Sequence, residues 1–210
     1  MRITSRLFLV LILLLSCSSS FARYSKKEKY PIITMGIKMP FGLQAGHSTD
    51  TDLSFLDISS GGHIGVGLTA EIVLFRYLAL EAGAFYRYSF YGEKDVSIKE
   101  FHFPLLLKFR FPITPNKMFL IGGGTAYFHE ISGEINPSDT VNPSFGQGSI
   151  SLPEKDLRNG FSFILKMELQ WGFTHEVFIN YEMSYERSKK ALNIISDNFT
   201  FTLGINFRVF

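Results

Sequence analysis

The chain has 210 residues, enough for one domain of ordinary size, and 15% of them are aromatic, with 22 phenylalanines and 9 tyrosines against a single tryptophan, Trp171. Its 21 basic and 19 acidic residues leave a formal net charge of +2, which argues against a nucleic-acid partner. Cys17 is the only cysteine.

The first residues read as an export leader. Arg2 and Arg6 form a basic start, Leu7 to Leu15 an unbroken apolar run, and Ser20-Phe21-Ala22 a small-x-small cleavage site. Residues 1–22 are therefore expected to be a signal peptide cut after Ala22. Leu14-Leu15-Ser16-Cys17 also resembles a lipobox, and lipidation of Cys17 is the alternative. The apolar run is shorter than the roughly 20 residues a membrane-spanning helix needs, and no later segment comes closer. With cleavage at Ala22 the mature chain has no thiol for a disulfide or a thiolate metal site.

Residues 23–29 are basic and polar, a short lead-in to a domain over 30–210. Period-two alternation then predicts eight strands. The first runs from Ile32 to Gly42 and the second from Ile64 to Leu74, with a loop near 44–62 between them. Phe75-Arg76-Tyr77 leads tightly into the third, which reaches Tyr91. A polar loop at 92–100 precedes the fourth, Phe101 to Phe111, whose odd positions are Phe, Phe, Leu, Leu, Phe and Phe and whose even positions are His, Pro, Leu, Lys and Arg. The Pro112–Asn116 stretch is turn chemistry. In the fifth strand, Lys117 to His129, the run Gly122-Gly123-Gly124 blurs which face is which. A long polar loop follows over 131–159. The sixth strand is Phe161 to Trp171 and the seventh Val177 to Tyr185; 186–198 reads as loop, and Phe199 to Phe210 is the eighth strand.

Three features decide which face points inward. Short and long connections alternate, as in transmembrane barrels. An eight-stranded barrel is too narrow to hold about five large apolar side chains per strand, so the smaller mixed face must be the inner one. Aromatic residues gather at both strand ends, matching interfacial girdles. The expected architecture is an all-β, eight-stranded, antiparallel, up-and-down transmembrane barrel with its N-terminus in the periplasm. A secreted sandwich would explain the alternation but not the girdles. The inner face then carries Lys38, Glu71, Glu81, Arg87, Lys108, Arg110, Lys166, Glu168, Glu182 and Arg208, and buried charges of both signs predict a salt-bridged plug rather than an open pore.

In this pattern the chain resembles the small eight-stranded outer-membrane β-barrel proteins, the OmpA, OmpX and OmpW class. Phe103-Pro104-Leu105-Leu106-Leu107-Lys108-Phe109-Arg110-Phe111 resembles a strand of the porin-like outer-membrane β-barrel domain. Thr202 to Phe210, with Gly204, Phe207, Val209 and Phe210, resembles the C-terminal assembly signal, although Val209 stands where an aromatic is commoner. The resemblance implies the outer membrane of a diderm bacterium, contact with its lipid, and handling by the barrel assembly machinery and periplasmic chaperones. No cofactor is expected, and the barrel is expected to be a monomer.

Chemistry is sparse. His47, His63, His102, His129 and His175 are scattered without metal-ligand spacing, and neither His102 nor His47-Ser48 has a recognisable third partner for nucleophilic catalysis. His102 reads as part of the plug, and the chain as no enzyme. Function on a rigid scaffold gathers in loops. Leu53, Phe55, Leu56 and Ile58 in the first loop and Leu192, Ile194 and Ile195 in the fourth are apolar where water is expected. Three readings stay open: a structural barrel whose loops meet an extracellular or host ligand, OmpW-like passage of small hydrophobic molecules, and, third, a lipid-modifying enzyme.

Overall fold

A computed structural model describes residues 30–48, 59–92, 96–135, 150–174, 176–191 and 194–209. The leader with Cys17 and Ala22, the loop residues Leu53, Phe55, Leu56, Ile58 and Leu192, and the final Phe210 lie outside the described residues.

Eight long strands form: β1 Ile32–Ser48, β2 Ser60–Phe75, β3 Leu78–Tyr91, β4 Val96–Thr114, β5 Lys117–Ile135, β6 Asn159–Gly172, β7 Val177–Lys189 and β8 Ile194–Arg208. Each pairs antiparallel with its sequence neighbours, and β1 pairs with β8 to close the ring. A two-residue strand, Ile150–Ser151, adds to the end of β5. Among the described residues no helix is long and apolar enough to cross a membrane.

The burial pattern is inverted relative to a water-soluble protein. Along β4 every second residue is exposed from Phe101 to Phe111, and Leu105 is 52% exposed. Leu68 on β2 is 64% exposed, whereas Lys38 and Lys108 are wholly buried. Such a surface suits hydrocarbon rather than water, and the charged side chains are gathered on the inner face instead. Aromatic contacts run around the loop end, with ring centroids 6.0 Å apart for Tyr86–Phe101, 6.3 Å for Phe103–Tyr127 and 5.4 Å for Tyr127–Phe161. Phe111 and Phe119 pair near the turn end.

The expected loops shorten. The segments 92–100 and 186–198 are not mainly loop: β4 begins at Val96, β7 continues to Lys189 and β8 begins at Ile194, and the loop expected near 44–62 loses both ends, since β1 runs to Ser48 and β2 begins at Ser60. Likewise β5 extends to Ile135. A strand of 19 residues, as in β4 and β5, reaches about 45–50 Å at the usual rise and tilt, against an apolar band of about 25 Å. The ladder therefore continues well past the belt, where outward positions become polar and the alternation of hydrophobicity fades. The facing of β5 is also settled: Leu120, Ala126, Phe128 and Glu130 point inward, Ile121 and Tyr127 outward.

Pro40 and Pro104 interrupt the ladder at matching places. Pairing of β1 with β2 skips from Lys38↔Gly67 to Phe41↔Ile64, and pairing of β3 with β4 skips from Ala82↔Leu105 to Phe85↔His102. Each proline, lacking an N–H, stands opposite a glycine of the β2–β3 hairpin, Gly65 or Gly83. A Cβ at either glycine would lie 3.2 Å from the proline Cγ, tighter than an ordinary contact. The pairings on the other side of each proline, Pro40↔Thr202 and Pro104↔Ala126, are continuous.

Pro104→Leu restores a donor opposite Gly83, and one ladder bond contributes about 1 kcal/mol. The variant is expected to show the folded-to-unfolded gel shift at a temperature no lower than the wild type, with slower amide exchange around Gly83. A lower transition temperature would mean that the packing of the proline ring outweighs the missing bond.

Candidate functional site in the barrel interior

The inward positions build two charged tiers. In the middle of the barrel, Glu71 on β2 stands directly across from Glu81 on β3, and Glu168 on β6 directly across from Glu182 on β7. Like charges in cross-strand register repel. Three lysines, two on the strands flanking the β2–β3 wall and one on β6 itself, answer both pairs. Lys108 on β4 donates to Glu81 Oε2 and Glu168 Oε2, each at 2.8 Å, and also contacts Glu71. Lys38 on β1 reaches Glu81 Oε2 at 2.7 Å and also contacts Glu182. Lys166 on β6 reaches Glu81 Oε1 at 2.6 Å and Glu182 Oε2 at 2.7 Å. Every lysine thus bridges the β2–β3 wall to the β6–β7 wall, across the barrel axis.

Room for these long side chains comes from glycine. A Cβ at Gly122 would lie 2.7 Å from Lys108 Cγ, and one at Gly204 would lie 2.7 Å from Lys38 Cγ. Gly122 belongs to the glycine run whose facing the alternation left blurred. Gly204, read from the sequence as part of an assembly signal, points inward against Lys38, while Phe207 and Val209 of the same signal point outward and are exposed.

The second tier lies toward the loop end. Arg87 on β3 donates from Nε to Glu100 Oε1 of β4 at 2.7 Å and from Nη1 to Glu186 Oε2 of β7 at 2.6 Å. His102 Nε2 meets Glu186 Oε1 at 2.9 Å. Lys190 pairs with Glu100 and sits 4.1 Å from the centroid of the Phe128 ring. Glu130 accepts the backbone N–H groups of Arg158 at 2.8 Å and Ala191 at 3.0 Å, fastening two connections to the wall. Above this tier lies an apolar cluster of Tyr91, Val96, Ile98, Ala191 and Ile194, with Ile135 and Leu152 packed against it. Between the tiers lies a cavity of about 50 Å³ beside Pro40, Phe85, Pro104, Leu106 and Ile164.

Of the ten charges expected in the lumen, the structure gathers seven in the middle tier and Arg87 in the upper one. Arg110 and Arg208 instead line the mouth at the turn end. Ile194 is a correction: expected as an exposed loop residue, it is fully buried in the apolar cluster because β8 starts there. Ile195, next to it, is half-buried on β8 opposite His47. Glu100, Glu130, Glu186 and Lys190 were missed, having been read as loop or strand end. The signal was present: Glu186, Ser188 and Lys190 continue the period-two inner face of β7, and all three are buried.

The carboxylates of Glu71, Glu81 and Glu168 lie close enough together to hold a metal ion. The Lys108 ammonium contacts all three, so a fixed cation already stands among them. A hydroxyl–imidazole pair exists in Thr200 Oγ1 and His63 Nε2, 2.9 Å apart, but His63 Nδ1 is buried without a hydrogen-bond partner. Among the described residues no third group orients that imidazole as a catalytic base requires.

Removing one member of a buried ion cluster leaves uncompensated charge, typically about 3–5 kcal/mol. Lys108→Met is therefore expected to lower the urea midpoint of the gel-mobility transition sharply, and the further change Glu81→Gln to recover part of the loss. An unchanged midpoint in Lys108→Met would mean the three carboxylates are neutralised by something other than that ammonium.

No family model and no curated protein sequence matches the chain. Solved structures do. Neisserial surface protein A superposes with a TM-score of 0.54 at 9% identity, over 83% of this chain and 97% of that one. The outer-membrane protein OprG from Pseudomonas aeruginosa gives 0.53 at 14% identity, over 86% and 97%. The outer-membrane protein AlkL, solved in lipid bilayers, gives 0.53 at 9% identity, over 88% and 94%. The likeness is one of fold: the chain has the closed, eight-stranded antiparallel architecture of these small outer-membrane β-barrels, and its apolar belt fits a bilayer.

Proposed function

We propose that the protein is a non-enzymatic barrel with a sealed lumen, which serves as a structural element of the outer membrane and meets extracellular partners through its loop end. The observation that carries the reading is the lysine bridging: three ammonium groups join opposite walls across the axis, and the Arg87 tier and the apolar cluster lie above them. An interior so cross-linked favours rigidity over flow, and the work is left to the loops. The first and last strands meet at the turn end, where Val209 donates to Ile33 O at 2.8 Å, and the expected export leader supports placing that end in the periplasm. Outer-membrane lipid, the assembly machinery with periplasmic chaperones, and an extracellular or host ligand are the partners in this reading, with the barrel a monomer. The name of the neisserial surface protein fits a role at the cell exterior.

The test pairs permeability with surface binding. Liposomes carrying the refolded protein are expected to swell in isotonic small sugars no faster than empty ones, and swelling at the rate of a general porin would defeat the sealed lumen. Deleting 49–58 and 136–149 is expected to abolish binding of intact cells to host-matrix or cell-surface preparations while leaving the heat-dependent gel shift intact. Equal binding by the deleted and full-length proteins would remove the loops from the function.

A second reading, passage of small hydrophobic molecules, has one observation in its favour: the cavity between the tiers lies beside both proline interruptions of the ladder. Uptake of small apolar compounds that does not change when the gene is deleted would dispose of it.

A further inference from the structure

At the turn end the barrel opens into a cavity of about 400 Å³. Four of its lining residues are cationic, Arg76, Arg110, Lys117 and Arg208, and one is acidic, Glu71, which Lys108 contacts from the middle tier. Lys117 turns its ammonium to the Trp171 ring, 4.7 Å from the centroid. Arg110 is the notable member. Its side chain is 7% exposed, and its Nε is buried without a hydrogen-bond partner among the described residues. A guanidinium N–H held out of water and unsatisfied wants an acceptor. Gln170 and Thr34 add neutral hydrogen-bonding groups, and Ile32, Val73 and Phe178 give the wall an apolar part.

Four physical points converge on a ligand. The volume lies in the range of small-molecule sites. Arg110 and Arg208 sit between low-dielectric walls, which focus a positive field outward through the mouth, while Arg76 and Lys117 hold their charged ends over the outward-facing Tyr77 and Trp171 rings at the rim. The lysine-bridged glutamates close the inner side, so the cavity opens toward the turn end and acts as a dead-ended pocket. Guanidinium groups hold planar oxyanions in paired hydrogen bonds.

We propose that this turn-end cavity binds a small oxyanion, a phosphate- or carboxylate-bearing molecule, with Arg110 as its principal anchor and Arg208 beside it. The site is separate from the loop function proposed above and does not depend on it. In the orientation given there, the ligand arrives as a free periplasmic anion or as the headgroup of an inner-leaflet phospholipid, and both present the same oxyanion.

The experiment is calorimetric titration of the refolded full barrel in a zwitterionic detergent at fixed ionic strength. The probes are inorganic phosphate, citrate and short-chain phosphatidylglycerol, with sodium chloride and short-chain phosphatidylcholine as blanks. Saturable binding of at least one anionic probe is expected, weakened at least tenfold in Arg110→Gln and clearly in Arg208→Gln. Arg187→Gln, at the opposite end and 58% exposed, is expected to bind as the wild type does. Binding of phosphate or citrate supports a free anion as the source, and binding of phosphatidylglycerol alone supports a headgroup. Each variant is first checked for the heat-dependent gel shift; if Arg110→Gln does not fold, Arg208→Gln and protection of the wild type by phosphate against heat carry the test. No saturable binding of any probe, or equal affinity in the folded arginine variants, overturns the site.

Discussion

Hydrocarbon offers a polypeptide no hydrogen-bonding partner, and from that constraint the rest of this structure follows. Every backbone donor and acceptor must find its mate within the wall, so the sheet has to close on itself. Eight strands close the smallest of the common barrels, and so small a ring leaves space for little more than side chains. The outer face is then committed to phenylalanine, leucine, isoleucine and methionine. The inner face must accept what remains: glycine, threonine, asparagine and charge.

Placing charge in so narrow a space is costly unless each ion meets its opposite, and the arrangement here is economical in atoms. Glu71 and Glu81, and Glu168 and Glu182, repel within their own hairpins. Those repulsions become useful once each lysine can contact a carboxylate on either wall, because one ammonium then relieves two unfavourable pairs. A hydrophobic core of equal volume would be no less stable in principle. It would not distinguish registers, however, whereas a one-residue slip of β1, β2, β3, β4, β6 or β7 would send its lysine or glutamate into the lipid. The ion cluster thus works with the apolar belt to select one register for the whole ring.

Much of this was legible in the residues. Period-two alternation located all eight strands, and the size of the apolar side chains showed which face had to be outside. Seven of the middle-tier charges could be named because they lie on stretches where the outward positions are strongly apolar. The upper tier was harder. Glu100, Glu186 and Lys190 flank outward positions that are themselves polar, Lys99, Arg187 and Lys189, because the strands have already left the apolar band. Contrast between faces, which is what periodicity detects, disappears there although the ladder does not. Ile194 was misplaced for the same reason. Which glutamate answers which lysine was not legible at all, since it depends on registers that are set across the whole ring.

The two proline interruptions divide the wall unequally. Bonding within the β2–β3 hairpin is continuous through Gly65↔Arg87, Val66↔Tyr86 and Gly67↔Phe85, yet the hairpin is fastened to β1 and to β4 by seams that each lack a rung at about the same height. A cylinder weakened along two parallel lines does not deform evenly. Under an evenly applied load, compliance would concentrate at those seams and leave the hairpin between them a single panel. Lys166 grips Glu81 from the opposite wall, and Lys38 and Lys108 tie the same hairpin to Glu182 and Glu168, so the ion cluster restrains that panel from inside the ring.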